Sequence, residues 1–331
     1  MNLPMRLSVH TEQWRFSQPF RIAGHCYTSR EFVIVELSTD KACGRGEAWC
    51  IYFCDETISS ITQQIESVAE QIENGISREQ LLELLPPGGA RNAIDCALWD
   101  LEAKHFGKTI WELTGITPKS ITTALTIGLE ETPDAMAMSA LKAKNYPILK
   151  IKLDSDQPVQ RVAAVRAARP DARLAVDANQ AWSYEQLVEI SPELVKLGVE
   201  MIEQPLKRGC DDELEGYVPL IPLCADESCL DRSELKQVSK RYQIVNIKLD
   251  KTGGLTEALL LAKAAKKMGL ELMVGNMGGT SLCIAPALVV AQLCKFHDLD
   301  GPLILKYDRF PSINYKDSEI LISETDKILW G

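Results

Sequence analysis

Lys152, Asp177, Glu203, Asp226 and Lys248 are the residues of this chain best placed to do chemistry. They follow one another at intervals of 25, 26, 23 and 22 residues, and each closes a short apolar run: 148–152, 173–177, 199–203, 222–226 and 244–248. A single carboxylate in such a place more often pairs with a lysine or caps a helix. Three in succession crowd like charge at one place, which a cation relieves. Their oxygens suit a hard divalent ion, and Mg²⁺ fits best. Lys150 and Lys152 form a Lys-x-Lys pair, so strand alternation turns both to one face. An interior amine near a cation and another amine is expected to have a lowered pKa, as a general base requires. Two such bases flanking a substrate held by its carboxylate could take a proton from one face of the adjacent carbon and return one to the other.

The elements that must position these groups follow from the spacing. One strand, one helix and two short loops fill about that interval. A parallel β/α barrel gathers the C-terminal ends of its strands around one mouth, which would set Lys248 across the ring from Lys152. The barrel pattern starts at 121–128, and helices are expected at 133–143, 158–168, 184–197, 232–240 and 255–268. Strand 271–275 and a segment ending at 297–301 complete eight strands. The fold class is therefore α/β, a parallel β/α barrel spanning 119–303. Residues 1–118 lack the ladder and read as an α+β capping domain, with a strand at 33–37 and helices at 57–73, 77–85 and 90–106. The tail, 304–331, is expected to pack back on that unit.

Composition removes several classes of function. The chain has 331 residues, 46% apolar and 25% charged, as an ordered globular protein does. A net charge of −10 with no dense basic run argues against nucleic acid and anionic membrane. No apolar run reaches the ~18 residues of a membrane span. The N-terminal residues lack a signal-peptide core, so a cytoplasmic location is expected. Ten scattered cysteines read as reduced thiols, and four separated histidines do not make a zinc site.

Lys150-Ile-Lys152, Val176-Asp-Ala-Asn179, Ile202-Glu-Gln-Pro205, Ala225-Asp-Glu-Ser228 and Asn246-Ile-Lys248, with the segment 91–101 of the first unit, resemble the enolase superfamily, muconate-lactonizing subgroup. The likeness spans essentially the whole chain and implies that the barrel is a modified TIM barrel of (β/α)7β type. Within the subgroup, Asp298-Leu-Asp300 and the segment 251–256 resemble the dipeptide epimerases, notably the L-Ala-D/L-Glu epimerases. The resemblance implies one Mg²⁺ per subunit on Asp177, Glu203 and Asp226. It implies Lys152 as the base for the D isomer and Lys248 for the L isomer, with Lys150 stabilising the enediolate. Asp298 and Asp300 would meet the dipeptide's α-ammonium, and Thr126 and Asn276 would touch the substrate. It implies a small dipeptide as partner, allows a homo-oligomer, and points to peptidoglycan-peptide metabolism.

One position departs from that pattern. The family's first-domain loop carries an arginine that pairs with the substrate's glutamate side chain. Here the best-aligned residue is Tyr27, flanked by Arg21 and Arg30. With the aromatic segment 49–55 nearby, this leads to an expected side-chain preference altered or broadened toward apolar residues. Two other readings stand beside this one: N-acylamino-acid racemisation or o-succinylbenzoate synthesis on the same scaffold, and a non-catalytic metal-dependent binding protein.

Overall fold

The apolar runs that end in Lys152, Asp177 and Glu203 are strands over the expected residues. They belong to a computed structural model that describes residues 3–22, 25–322 and 330–331, with the side chains of 20–22 and 25 outside that set. Three antiparallel strands open the chain: β1 (Arg6–Ile22), β2 (His25–Ser38) and β3 (Cys43–Ala48). The short strand expected at 33–37 is the inner half of β2, in a long hairpin with β1. Behind the sheet lie α1 (Ile58–Ser67), α2 (Ala69–Glu73), α3 (Arg78–Leu84) and α4 (Gly89–Phe106). The single helix expected at 57–73 is broken at Val68, whose backbone leaves the helical region. Ser77 caps α3 through Gln80 N–H, and Gln80 answers in a capping box. Val33, Val35 and Leu37 of β2 pack with Ile61, Ile65, Ala93 and Ala97 in one apolar core. Gly46 is required there, because a Cβ would run into the carbonyl of Ala93.

The second sheet has eight parallel strands in sequential order: β5 (Leu125–Ile127), β6 (Ile148–Lys152), β7 (Arg173–Asp177), β8 (Val199–Glu203), β9 (Leu223–Ala225), β10 (Ile244–Ile247), β11 (Glu271–Val274) and β12 (Phe296–His297). It is a modified TIM barrel that does not fully close. Across the gap between β12 and β5, Ala124 N–H donates to the His297 carbonyl at 2.8 Å. The run 121–128, expected as one strand, serves two sheets. Its first two residues form β4 (Ile121–Thr122), the edge of a small antiparallel sheet with the tail strands β13 (Asn314–Lys316) and β14 (Glu319–Leu321), in which β4 pairs with β14. The tail thus docks first on the barrel, with Ile320 in the barrel core. Its last residues do reach the first unit: Trp330 donates to the Cys96 carbonyl at 2.9 Å, and Gly331 N–H to Asp100 at 2.7 Å. Among the described residues no helix is long and apolar enough to cross a membrane.

Period-two alternation builds the site. Leu149, Ile151, Leu174, Val176, Val245 and Ile247 face outward into the helix layer. Inward, Ala175, Met201, Cys224, Ile244 and Met273 form an apolar floor. The next inward residues toward the mouth are Lys150 and Asn246, then Lys152, Asp177, Glu203 and Lys248.

Candidate active site

Above that floor the barrel interior is charged and closely paired. The Lys150 ammonium lies 3.0 Å from Asp177, 2.7 Å from Glu203 and 2.7 Å from Asp298. Lys152 lies 2.6 Å from Asp177. Four strands on, Lys248 lies 2.6 Å from Asp226. Lys150, Lys152 and Lys248 line one cavity with Asn179, Glu227, Asn276, Asp298 and Asp300. Asp177, Glu203 and Asp226 lie beneath the lysines, all but fully buried. Gly275 makes room for Lys248, since a Cβ there would stand 3.1 Å from the lysine Cε.

Each carboxylate is aimed by a neighbour. Asn246 donates to Glu203 Oε1 at 2.7 Å, and Asn179 N–H to Asp177 Oδ1 at 2.9 Å. Lys251, with no exposure, lies 2.7 Å from Asp226 Oδ1 and also donates to the carbonyls of Cys229 and Asn246. Asn179, Gln180 and Gln204 take positive φ values of 43°, 69° and 35° just beyond two of the carboxylates. Non-glycine residues pay for that backbone, and such strain gathers at functional sites. Asn246, Lys251 and Glu227 were not singled out from the sequence. Asn246 meets Glu203 43 residues away and Lys251 meets Asp226 25 residues away, contacts that only the folded barrel brings about.

The electrostatics reverse one expectation. The lysine pKa values were expected to be lowered. Burial does oppose the Lys150 charge, but Asp177, Asp298 and Glu203 outweigh it and hold the group well above the ordinary lysine value. Lys248 is likewise raised, with Asp226 overcoming burial. Asp177 falls to about 2, because Lys150 and Lys152 outweigh its burial. The carboxylates are not all neutralised, however. Burial, then Asp177, pushes Glu203 up to about 7. Burial, then Asp226, pushes Glu227 up to about 8. Glu227 Oε2 is buried without a hydrogen-bond partner among the described residues.

These observations bear on a metal. Among the described residues no three His, Cys, Asp or Glu side chains form a ready-made metal cluster, because ammonium groups stand between the carboxylates. The donor set nevertheless fits a hard cation. Asp177 and Glu203 already converge on one positive charge, that of Lys150. Fully ionised, the six buried carboxyl groups (Asp177, Glu203, Asp226, Glu227, Asp298 and Asp300) would exceed the four buried amines (Lys150, Lys152, Lys248 and Lys251) by two negative charges, and beside burial that excess is what raises Glu203, Glu227 and Asp300. That excess suits one divalent ion.

Asp298 and Asp300 follow β12 at the seam of the barrel. Asp300 accepts Thr126 N–H at 2.8 Å, and Asp298 accepts the Thr126 hydroxyl at 3.4 Å. Burial, then Asp298, pushes Asp300 up to about 6. Asn276 lines the cavity, with its amide donating to the Asp298 carbonyl at 2.6 Å and accepting Gly278 N–H at 2.7 Å.

The region around Tyr27, taken as a loop from the sequence, is part of β2. Tyr27 packs edge-on against Trp49, with centroids 5.9 Å apart, and stands behind the cavity wall. Arg30 forms that wall with Trp49, Tyr52 and Phe53. Its guanidinium lies 3.7 Å over the Trp49 ring and 4.4 Å over Tyr27, and donates to the Met277 carbonyl. Burial lowers its pKa to about 10, so it stays charged at neutral pH. Among the described residues no carboxylate forms an ion pair with it, and its Nε lacks a partner. The Arg21 side chain lies outside the described residues.

Comparison with known proteins agrees with this architecture. Residues 134–309 match the family model "Enolase C-terminal domain-like", and residues 5–115 match "Mandelate racemase / muconate lactonizing enzyme, N-terminal domain". The chain belongs to the mandelate racemase/muconate lactonizing enzyme family of the enolase superfamily. It is an isomerase of the racemase and epimerase type. It is 44% identical over 317 residues to the L-Ala-D/L-Glu epimerase of Escherichia coli (strain K12), covering 95% of this chain and 98% of the relative. It is 39% identical over 301 residues to the N-acetyl-D-glutamate racemase of a Pseudoalteromonas species, covering 90% and 95%. An enolase family member from Agrobacterium tumefaciens, solved with sodium and L-Ala-L-Glu, superposes with a TM-score of 0.95 at 39% identity, covering 99% of this chain and 100% of that one. The dipeptide epimerase of Enterococcus faecalis V583, solved with Mg and L-Leu-L-Tyr, gives 0.89 at 27% identity, covering 97% and 98%.

Proposed function

We propose that this protein is a Mg²⁺-dependent epimerase of L-Ala-Xaa dipeptides, inverting the α-carbon of the C-terminal residue, with glutamate as the favoured Xaa. One observation carries the reading: Lys152 and Lys248 wall the same cavity from strands four apart, each resting on its own carboxylate. In this reading Asp298 and Asp300 hold the substrate ammonium. One lysine, as the amine, takes the α-proton. The other, as ammonium, delivers a proton to the opposite face. Lys150, which shares Asp177 with Lys152, offsets the negative charge that spreads onto the substrate carboxylate. Asp177, Glu203 and Asp226 would hold the metal. An ion held there would supply further positive charge for that carboxylate.

Arg30 alters the expected specificity. The broadened preference rested on the missing loop arginine at Tyr27. Arg30 brings a buried guanidinium to the same cavity from three residues further on, suited to a side-chain carboxylate. Residues 1–118 with 304–331 would act as the cap, and 119–303 would carry the chemistry. A cytoplasmic location belongs to this reading, and the ten free cysteines suit a reducing compartment.

Incubation with Mg²⁺ and L-Ala-L-Glu or L-Ala-D-Glu in heavy water tests the proposal. Both isomers should interconvert and gain one α-deuterium by mass. If neither exchanges, the two-base reading fails.

A further inference from the structure

The turn just beyond Lys248 is tied to the capping unit by a group that the proposed chemistry does not use. Lys248 caps the short helix Leu249–Thr252, and Thr252 N–H closes it on the Lys248 carbonyl at 3.0 Å. The residues of this turn are anchored in different directions. Lys251 points into the barrel toward Asp226. The carbonyls of Thr252 and Gly253 accept from Arg91 of α4 at 2.8 and 3.2 Å. Asp250 points to the cap. Its Oδ1 accepts both the Trp49 N–H, at 3.1 Å, and the Asn92 side-chain amide, at 2.9 Å. Asn92 is oriented in turn by the Cys96 thiol, which donates to its oxygen at 3.2 Å. Asp250, Asn92 and Cys96 are each only 1% exposed.

A buried carboxyl is an expensive way to fill space. Among the described residues no cation forms an ion pair with Asp250, and burial pushes it up to about 7. What it does supply is a single oxygen joining three pieces: the turn that carries Lys248, the helix α4, and the backbone of Trp49, whose ring supports Arg30. Among the described residues, Lys152 on β6 has no hydrogen bond to this junction. The tie therefore bears on one of the two bases.

We infer that Asp250 is a positioning residue that sets Lys248, and not Lys152, against the substrate α-carbon. The inference rests on the two-base reading above. Its signature is one-sided. Lys152 as amine can still take the α-proton of the D isomer. The electron pair left on carbon spreads into the carboxylate, the new ammonium exchanges with solvent, and a deuteron returns to the same face. Inversion additionally needs Lys248 in place. A misplacement of about 1 Å costs on the order of a hundredfold in such a step.

The test compares Asp250→Ala with Asp250→Asn in heavy water with Mg²⁺ and each L-Ala-Glu isomer. In Asp250→Ala, inversion should fall at least ~tenfold and L-isomer exchange should fall with it. D-isomer exchange with retention should stay within ~threefold, which also shows the site is folded. Asn keeps an oxygen for both donors, so Asp250→Asn should restore inversion to within ~threefold. Asn92→Ala, on the capping helix, should reproduce the asymmetry. Equal loss of exchange on both isomers, or no loss in Asp250→Ala, overturns the inference. If the unaltered enzyme exchanges neither isomer, the two-base reading falls and the inference falls with it.

Discussion

Asp95, on the capping helix α4, accepts both the hydroxyl and the backbone N–H of Thr256, at 2.6 and 2.9 Å, at the start of a barrel helix. The carboxyl is fully buried, and burial raises it from 3.8 to about 6 despite those bonds. A carboxyl raised on folding stabilises the protein below its unfolded pKa and loses that contribution as the pH climbs through the folded value. Between about pH 4 and about pH 7 the native protein should therefore lose up to ~3 kcal/mol relative to Asp95→Asn. Urea midpoints of the two proteins across that window measure the difference. Parallel pH profiles would show that Asp95 does not titrate on unfolding.

A second tie between cap and barrel runs through Arg309. It lies 2.8 Å from the buried Glu47 of β3 and 2.6 Å from Glu12 of β1, while Thr280 donates to Glu47 through its hydroxyl and its N–H. Removing one member of a buried pair strands the other charge. Arg309→Ala should cost about 3–5 kcal/mol, and the double variant Arg309→Ala with Glu47→Gln should recover much of it. A single variant as stable as the parent would show that solvent replaces the pair.

The sequence displayed the barrel better than the cap, and the reason is local. β6, β7 and β8 are short, apolar and marked at their ends by charged residues, so nothing distant is needed to see them. Residues 121–128 were misread as one strand because Thr123 looks like any β-branched residue. Only the fold shows its hydroxyl taking Leu299 N–H while its own N–H goes to Ser318, dividing the run between two sheets. β1 escaped because it is a mostly exposed strand whose polar residues hide the alternation. The pKa values of Lys150 and Lys248 were misjudged because only a cation and a second amine were weighed. The structure adds Asp298, 148 residues from Lys150, to the carboxylates that hold the proton. Arg30 was visible as a residue but not as a cavity wall, since that depends on its stacking with Trp49.

Arg30 makes the specificity testable. Replacing Arg30 by Met should raise KM for L-Ala-L-Glu about 10- to 100-fold, the range of a lost charged hydrogen bond, and leave L-Ala-L-Leu within ~threefold. Arg30→Lys should rescue poorly, because an ammonium neither lies flat on Trp49 nor offers a two-pronged contact. Steady-state kinetics on both dipeptides decides the matter. Equal losses on the two would assign Arg30 to the wall alone, and the expectation of an apolar or mixed side chain would stand.

The likeness to an N-acetyl-D-glutamate racemase makes the substrate's amino end the other point to settle. Asp298 and Asp300 are not equivalent probes. Asp298 lies 2.7 Å from Lys150, so changing it also disturbs the lysine proposed to face the substrate carboxylate. Asp300 carries its side-chain bond to Thr126 N–H through Oδ2, and an asparagine oxygen can still accept there. Asp300→Asn therefore removes charge at one point with little rearrangement. If that charge meets a free ammonium, KM for L-Ala-L-Glu should rise about 10-fold or more, while any turnover of N-acetylglutamate, which has no ammonium, should hold or improve. Parallel kinetics on the two substrates reads this directly. Loss of N-acetylglutamate turnover with dipeptide kinetics unchanged would move the assignment from dipeptide epimerase to N-acylamino-acid racemase, with the same lysines serving either reaction.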